Sequence, residues 1–269
     1  MAKFDGKQII GLVGGLVFKK GKNKSTTVQS KPTSIVQTSA TKGAASLFGI
    51  ASTLSKAIRY GMTEITEQFY DGGMVNRLTN QNRSILAHCY DKTTQKFIFN
   101  ETSFNRLVGF EFNLKSPITN SLWVEPQTTL SGNDLTVHLP TFEIPAQLKF
   151  PNSANICTIS ILVNLYVLDQ SLRKKLPAQK IEISLNQTHV PAQEFKFEVP
   201  DGCLCIAGIN LDYFYLHSGI KTVINHKEFN PTAICGAILT PGTFTTLTQT
   251  DPYKAIAGWR IIDGLEIPY

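Results

Sequence analysis

Glu194-Phe195-Lys196-Phe197-Glu198-Val199 alternates charged and apolar side chains without a break, and Lys180-Ile181-Glu182-Ile183-Ser184-Leu185 repeats the pattern. Successive side chains of a strand point to opposite faces, so each stretch predicts a strand with one buried and one wet face, as in antiparallel sheets. Working outward, a period near two continues from residue 96 to the C-terminus. Strands are expected at Lys96–Phe99, Gly109–Leu114, Ser121–Val124, Leu135–Leu139, Asn155–Leu168, Gln179–Leu185, Glu194–Val199, Cys203–Leu216, Lys221–Asn225, Thr232–Leu239 and Ile256–Asp263. The longest, Ile156–Leu168 and Cys203–Leu216, are apolar at nearly every position and belong at the centre. Turn signals such as Pro200-Asp201-Gly202 and Ser131-Gly132-Asn133-Asp134 separate the strands, and no crossover helix does, which favours a sandwich over a parallel sheet.

Upstream the period changes. Ala44, Leu47, Ala51, Leu54, Ile58, Met62, Ile65 and Phe69 recur at steps of three or four, which predicts one amphipathic helix, kinked at Gly61 and broken by Asp71-Gly72-Gly73. A second helix is expected from Met74 to Tyr90, with Val75, Leu78, Ile85, Leu86 and Cys89 inward. Residues 33–40 read as a polar linker, with the helix cap near Ser39 or Thr41. Before it, Gln8–Lys20 and Ser25–Lys31 read as a β-hairpin turning at Gly21-Lys22-Asn23-Lys24. The fold class is therefore α+β. A basic β-hairpin arm and linker span 1–40, a two-helix segment 41–95, and an antiparallel β-sandwich 96–269.

Charge is distributed unevenly. Residues 1–60 carry ten Lys or Arg against the single acid Asp5, whereas the remaining 209 residues carry 16 basic and 19 acidic side chains. Such asymmetry suits an arm that meets an acidic surface, whether a non-specific acidic partner or another copy's body. Base-specific nucleic-acid readout is not expected, because Arg59 is the one arginine of the basic region. The apolar run Ile9–Phe18 spans about ten residues, too short to cross a bilayer. It ends in Lys19-Lys20-Gly21-Lys22 rather than a small-residue cleavage site, so neither a cleavable leader nor a transmembrane segment is expected.

Catalytic templates fail one by one. Gly11-Leu12-Val13-Gly14-Gly15 is not a dinucleotide fingerprint, and the spacing from Gly15 to Gly21 is one residue too long for a P-loop. His88, His138, His189, His217 and His226 are never paired at metal-binding spacing, and His138 alternates with apolar neighbours as a strand's polar face would. Cys89, Cys157, Cys203, Cys205 and Cys235 include no C-x-x-C. Cys203 and Cys205 share a strand face, but nothing adjacent completes a zinc set, so the thiols read as core filler. Asp169, Asp201, Asp212, Glu228 and Asp251 sit near strand ends without a local pattern, and Trp259 or Tyr213 would be the aromatics of a sugar platform. No cofactor is implied, and no enzyme is expected.

Gly14-Gly15-Leu16-Val17-Phe18, a charged turn, Val28-Gln29-Ser30-Lys31-Pro32, Gln37-Thr38-Ser39-Ala40-Thr41-Lys42, Leu47-Phe48-Gly49 and Ile58-Arg59 together resemble the opening of a loosely defined group of uncharacterised bacterial proteins of unknown function. The resemblance implies an architecture: a glycine-rich β segment, basic turn, Pro, amphipathic helix and β-rich domain. It supplies no catalytic residue.

The functional expectation is a structural subunit that forms a filament or particle as a homo-oligomer, by strand addition through the arm. Its assembly residues are Ile9, Ile10, Leu12, Val13, Leu16, Val17, Phe18, Lys19, Lys20, Lys22 and Lys24. The alternative is a monomeric β-sandwich module that binds a glycan or cell-envelope component.

Overall fold

The computed structural model describes residues 2–4, 6–20, 25–31, 39–245, 258–265 and 267, in two compact units, Met1–Ala44 and Ala45–Tyr269. The first unit holds a four-stranded antiparallel sheet in the order β1 (Lys3–Phe4), β2 (Ile9–Val13), β3 (Leu16–Lys20), β4 (Thr26–Ser30). The single long strand expected over Gln8–Lys20 is instead two, because Val13 pairs with Leu16 across Gly14-Gly15. Gly14 has φ +57° and Gly15 does not, the pattern of a tight hairpin turn that wants glycine first. The expected turn at residues 21–24 and most of the linker, 32–38, lie outside the described residues.

Three helices follow: α1 (Ser39–Gly61), α2 (Thr63–Thr66) and α3 (Met74–Cys89). Leu54, Ile58, Met62 and Ile65 are buried as their spacing predicts. The helix ends earlier than Asp71, since Glu67 and Gln68 take left-handed φ of 47° and 64°. On α3, Leu78, Ile85 and Leu86 are buried, whereas Val75 is exposed and Cys89 only half-buried, so its inward stripe is narrower than expected.

Asp71 then locks this corner. Its Oδ1 accepts from Arg77 Nη1 and from the Gly73 N–H, both at 2.7 Å, its Oδ2 accepts from the Leu114 N–H, and Arg77 Nη2 donates to the Glu111 carbonyl. The Arg77 bond, aided by these N–H groups, holds the Asp71 carboxyl down from 3.8 to about 2 against the opposing pull of burial. Asp71→Asn should cost about 2 kcal/mol near neutrality. A folded value below the unfolded one stabilises above the ordinary range and is lost as pH falls through about 2. The gap between wild-type and variant denaturant midpoints should therefore close over that acid window.

The strands after α3 are all antiparallel. Two short ladders stand apart from the larger sheets, β5 (Tyr90–Asp91) with β6 (Lys96–Phe97), and β9 (Phe142–Glu143) with β13 (His189–Val190). A three-stranded sheet runs β14 (Gln193–Glu198), β8 (Asp134–Leu139), β7 (Gln127–Ser131). The large sheet is built on β10 (Ile156–Val167) beside β15 (Leu204–His217). One half of β10 pairs with β12 (Gln179–Ser184) and the other with β11 (Leu172–Lys175), which carries β18 (Trp259–Ile261). Likewise β15 pairs with β16 (Ile220–Val223) and β17 (Thr232–Leu239).

Both long strands are buried on both sides because each face has its own core. Cys157, Ile159, Ile161, Val163 and Leu165 of β10 pack with Leu135, Val137, Phe195 and Phe197 of the small sheet. Leu162 and Tyr166 point the other way, into a core shared with Leu54, Ile58, Leu78 and Phe112. A bulge opposite Ala207/Gly208 lets β17 contribute to both: Ala233 and Cys235 face the first core, Ala237 and Leu239 the second. The chain is thus α+β with a β-rich body, and helices back the large sheet.

Several expected strands shrink. Gly109–Leu114 contributes an isolated bridge, Glu111 to Ala233, and Ser121–Val124 another, Leu122 to Leu148. Each segment follows a single helical turn, Asn105–Leu107 or Ile118–Asn120, and keeps only a few bonds to a neighbour: the Gly109 and Phe112 N–H groups donate to the Ile234 and Thr232 carbonyls, and the Trp123 N–H donates to the Gln147 carbonyl. Ile256–Asp263 reduces to β18, with residues 256 and 257 outside the described set. No helix among the described residues is long and apolar enough to cross a membrane.

Candidate assembly surface

Cross-strand partners share a sheet face, so the arm's register sorts its side chains. Phe4 opposes Ile9, Val13 opposes Leu16, and Phe18 opposes Val28, which places all six on one face. Phe4 is 69% exposed, Ile9 42%, Val13 46%, Leu16 45% and Val28 48%, with Phe18 half-buried. Gly11, with φ +113°, stands opposite Phe18. Ile10, Leu12, Val17 and Lys19 occupy the other face, where Leu12 opposes Val17, and Lys20 shares the first. Lys22 and Lys24 lie outside the described residues. The nine described arm residues, read as one ribbon in the sequence, are thus divided between two faces, because strand period and not apolar content sets direction.

The sheet ends on β4, whose five residues are all exposed and whose pairing among the described residues is with β3 alone. A strand in that position offers unpaired N–H and C=O groups along its outer side. In the second unit β16 is also an edge among the described residues, exposed throughout, with Ile220 70% and Val223 53% exposed.

Other groups singled out in the sequence are placed differently. Tyr213 is fully buried and Trp259 nearly so, the latter edge-on to Phe244, so neither can form a sugar platform. The exposed tryptophan is Trp123, which lines a cleft of about 520 Å³ together with Glu111, Ile118, Val124 and Ile209. Burial raises the Glu111 carboxyl, while the Ile118 N–H donates to both its oxygens at 3.1 and 3.0 Å. The sequence holds two tryptophans, Trp123 and Trp259, and nothing local tells which of them is exposed.

Cys157, Cys203, Cys205 and Cys235 are buried, and burial pushes the Cys203 thiol up to about 12, which disfavours the thiolate a metal requires. Among the described residues no three His, Cys, Asp or Glu side chains converge as a metal set would. Asp169, Asp201 and Glu228 are exposed, Glu228 being paired with Lys115, and Asp251 is outside the described residues. Burial raises the Asp212 carboxyl, which accepts from Asn210 Nδ2. His138 is half-buried on β8 opposite Glu194.

Comparison with protein-family models, with curated proteins and with solved structures finds no match to the chain.

Proposed function

We propose that the chain is a non-enzymatic structural subunit, which self-assembles into a filament or particle through its N-terminal arm by β-strand addition. The observation that carries this reading is the apolar face of the arm, where Phe4, Ile9, Val13, Leu16 and Val28 are each at least 42% exposed beside β4, an edge strand among the described residues. A small sheet needs a covered face to be stable in water, and an exposed apolar face next to an open edge favours pairing with another chain. A second copy suits both needs. Its β16 is an exposed acceptor edge, and residues 61–269 carry more acids than bases while the first sixty are strongly basic. Strand addition gains main-chain hydrogen bonds and covers side chains at once. On this reading the three-stranded and seven-stranded sheets form a sandwich body, and the contact is heterologous, closing into a ring or propagating as a filament.

Static light scattering of the full chain against a chain lacking residues 1–31 tests it. The full chain should give a multiple of the chain mass, and the shortened one a single mass. Leu16→Glu and Val28→Glu should each dissociate the assembly by placing a charge in the covered face. An equal, single-chain mass for all four proteins would reject the subunit reading.

One observation favours the second reading, a monomeric module for a glycan or cell-envelope component: Trp123, 52% exposed, lines a cleft of about 520 Å³. Glycan-array binding by a monomer, abolished by Trp123→Ala, would select it.

A further inference from the structure

Arg173 of β11 and Arg260 of β18 are direct partners in the antiparallel ladder, so two guanidinium groups leave the sheet on one face, side by side. Like charges directly opposite destabilise a strand pair. Among the described residues neither arginine has a side-chain ion pair or hydrogen bond, so no described carboxylate is bonded to either to offset the repulsion. Lys175 lies two residues along β11 on the same face, bonded to Glu64 at 2.6 Å. All three cations line a hollow of about 370 Å³ together with Tyr60, Gly61 and Gly258. Gly61 and Gly258 present no side chain to it, and Tyr60 is 59% exposed at its rim.

We propose that this hollow binds the phosphate group of a small solute. Two arginine forks on one face present paired N–H donors to a tetrahedral oxyanion, the geometry at which guanidinium surpasses ammonium. A carboxylate would balance one of the two charges, whereas a phosphate dianion balances both. The hollow exceeds the size of the anion alone, so an organic portion fits against the Tyr60 ring. The assignment is independent of the arm, since every residue of the hollow lies in the second unit.

Isothermal titration of the full chain with inorganic phosphate at low ionic strength should give saturable binding that chloride at matched ionic strength does not reproduce. Glycerol phosphate should bind at least as tightly. Arg260→Gln should weaken phosphate by about tenfold or more, as loss of a charged hydrogen-bond donor implies, and Arg260→Lys by less. In phosphate-free buffer Arg260→Gln should melt no lower than wild type, because it removes a repulsion; excess phosphate should reverse the order. Equal affinity in wild type and Arg260→Gln, or heat that never saturates, would overturn the site. Binding confined to phosphatidic acid vesicles, without binding of either soluble phosphate, would overturn the small-solute assignment.

Discussion

Tyr213→Ala is expected to lower folding stability by about 3–5 kcal/mol, the range for deleting a large buried aromatic. Tyr213 has no exposed surface, and its ring lies edge-on to Phe150 at 5.7 Å and tilted against Phe229 at 5.5 Å. Its hydroxyl donates to the Lys149 carbonyl at 2.7 Å, and its backbone N–H donates to Asn225 Oδ1. Alanine would open a cavity under three connected segments and orphan that carbonyl. Tyr213→Phe keeps the packing and should cost about 1 kcal/mol, the net worth of one hydrogen bond. Denaturant unfolding of the three proteins separates the two contributions. An unchanged midpoint for Tyr213→Ala would mean that the side chain stands in solvent, as a ligand-binding residue would, and the packing described here would be wrong.

Gly61→Val should be nearly as severe, at about 3 kcal/mol or more, because overpacking and a bulky branched side chain act together. A Cβ at Gly61 would sit 2.5 Å from the Tyr166 hydroxyl and 2.7 Å from Asn164 Oδ1, both on β10 and both buried. At this point α1 touches the large sheet, so the helix can yield only by lifting from its core. Even Gly61→Ala should cost about 1–3 kcal/mol. The Tyr166 hydroxyl has no hydrogen-bond partner among the described residues, so Tyr166→Phe removes an uncompensated buried dipole and should be neutral or stabilising. Combining it with Gly61→Ala should recover part of the alanine cost, since the nearest clashing atom is gone. A double-mutant cycle measures that coupling, and strict additivity would show that Gly61 and Tyr166 do not meet.

The arm shows how far pattern reading reaches. Apolar content and glycine placement marked residues 8–31 as paired strands, but the extra turn at Gly14-Gly15 was hidden. Val13-Gly14-Gly15-Leu16 continues an extended run as readily as it reverses one, and pairing register decides between them. Once the turn is known, alternation assigns every side chain to a face, and the apolar face of the proposed interface emerges. The hollow was less accessible still. Leu172-Arg173-Lys174-Lys175 falls between the strands expected at Asn155–Leu168 and Gln179–Leu185, and Arg260 falls inside the one expected at Ile256–Asp263. Nothing local signals that these arginines face one another.

What the sequence by itself determined was local and periodic: antiparallel strands from the alternation, the buried faces of Leu54, Ile58 and Met62 from helical spacing, and the central place of the two long apolar strands. These follow from backbone geometry, which repeats every 2 or 3.6 residues whatever lies opposite. Tertiary structure alone decided what lies opposite. It gave the large sheet a core on each face, one of them shared with the helices, buried Tyr213 and Trp259 while leaving Trp123 outside, and brought Arg173 to Arg260. Those outcomes depend on register between segments far apart in the chain, where a shift of one residue reverses every side chain.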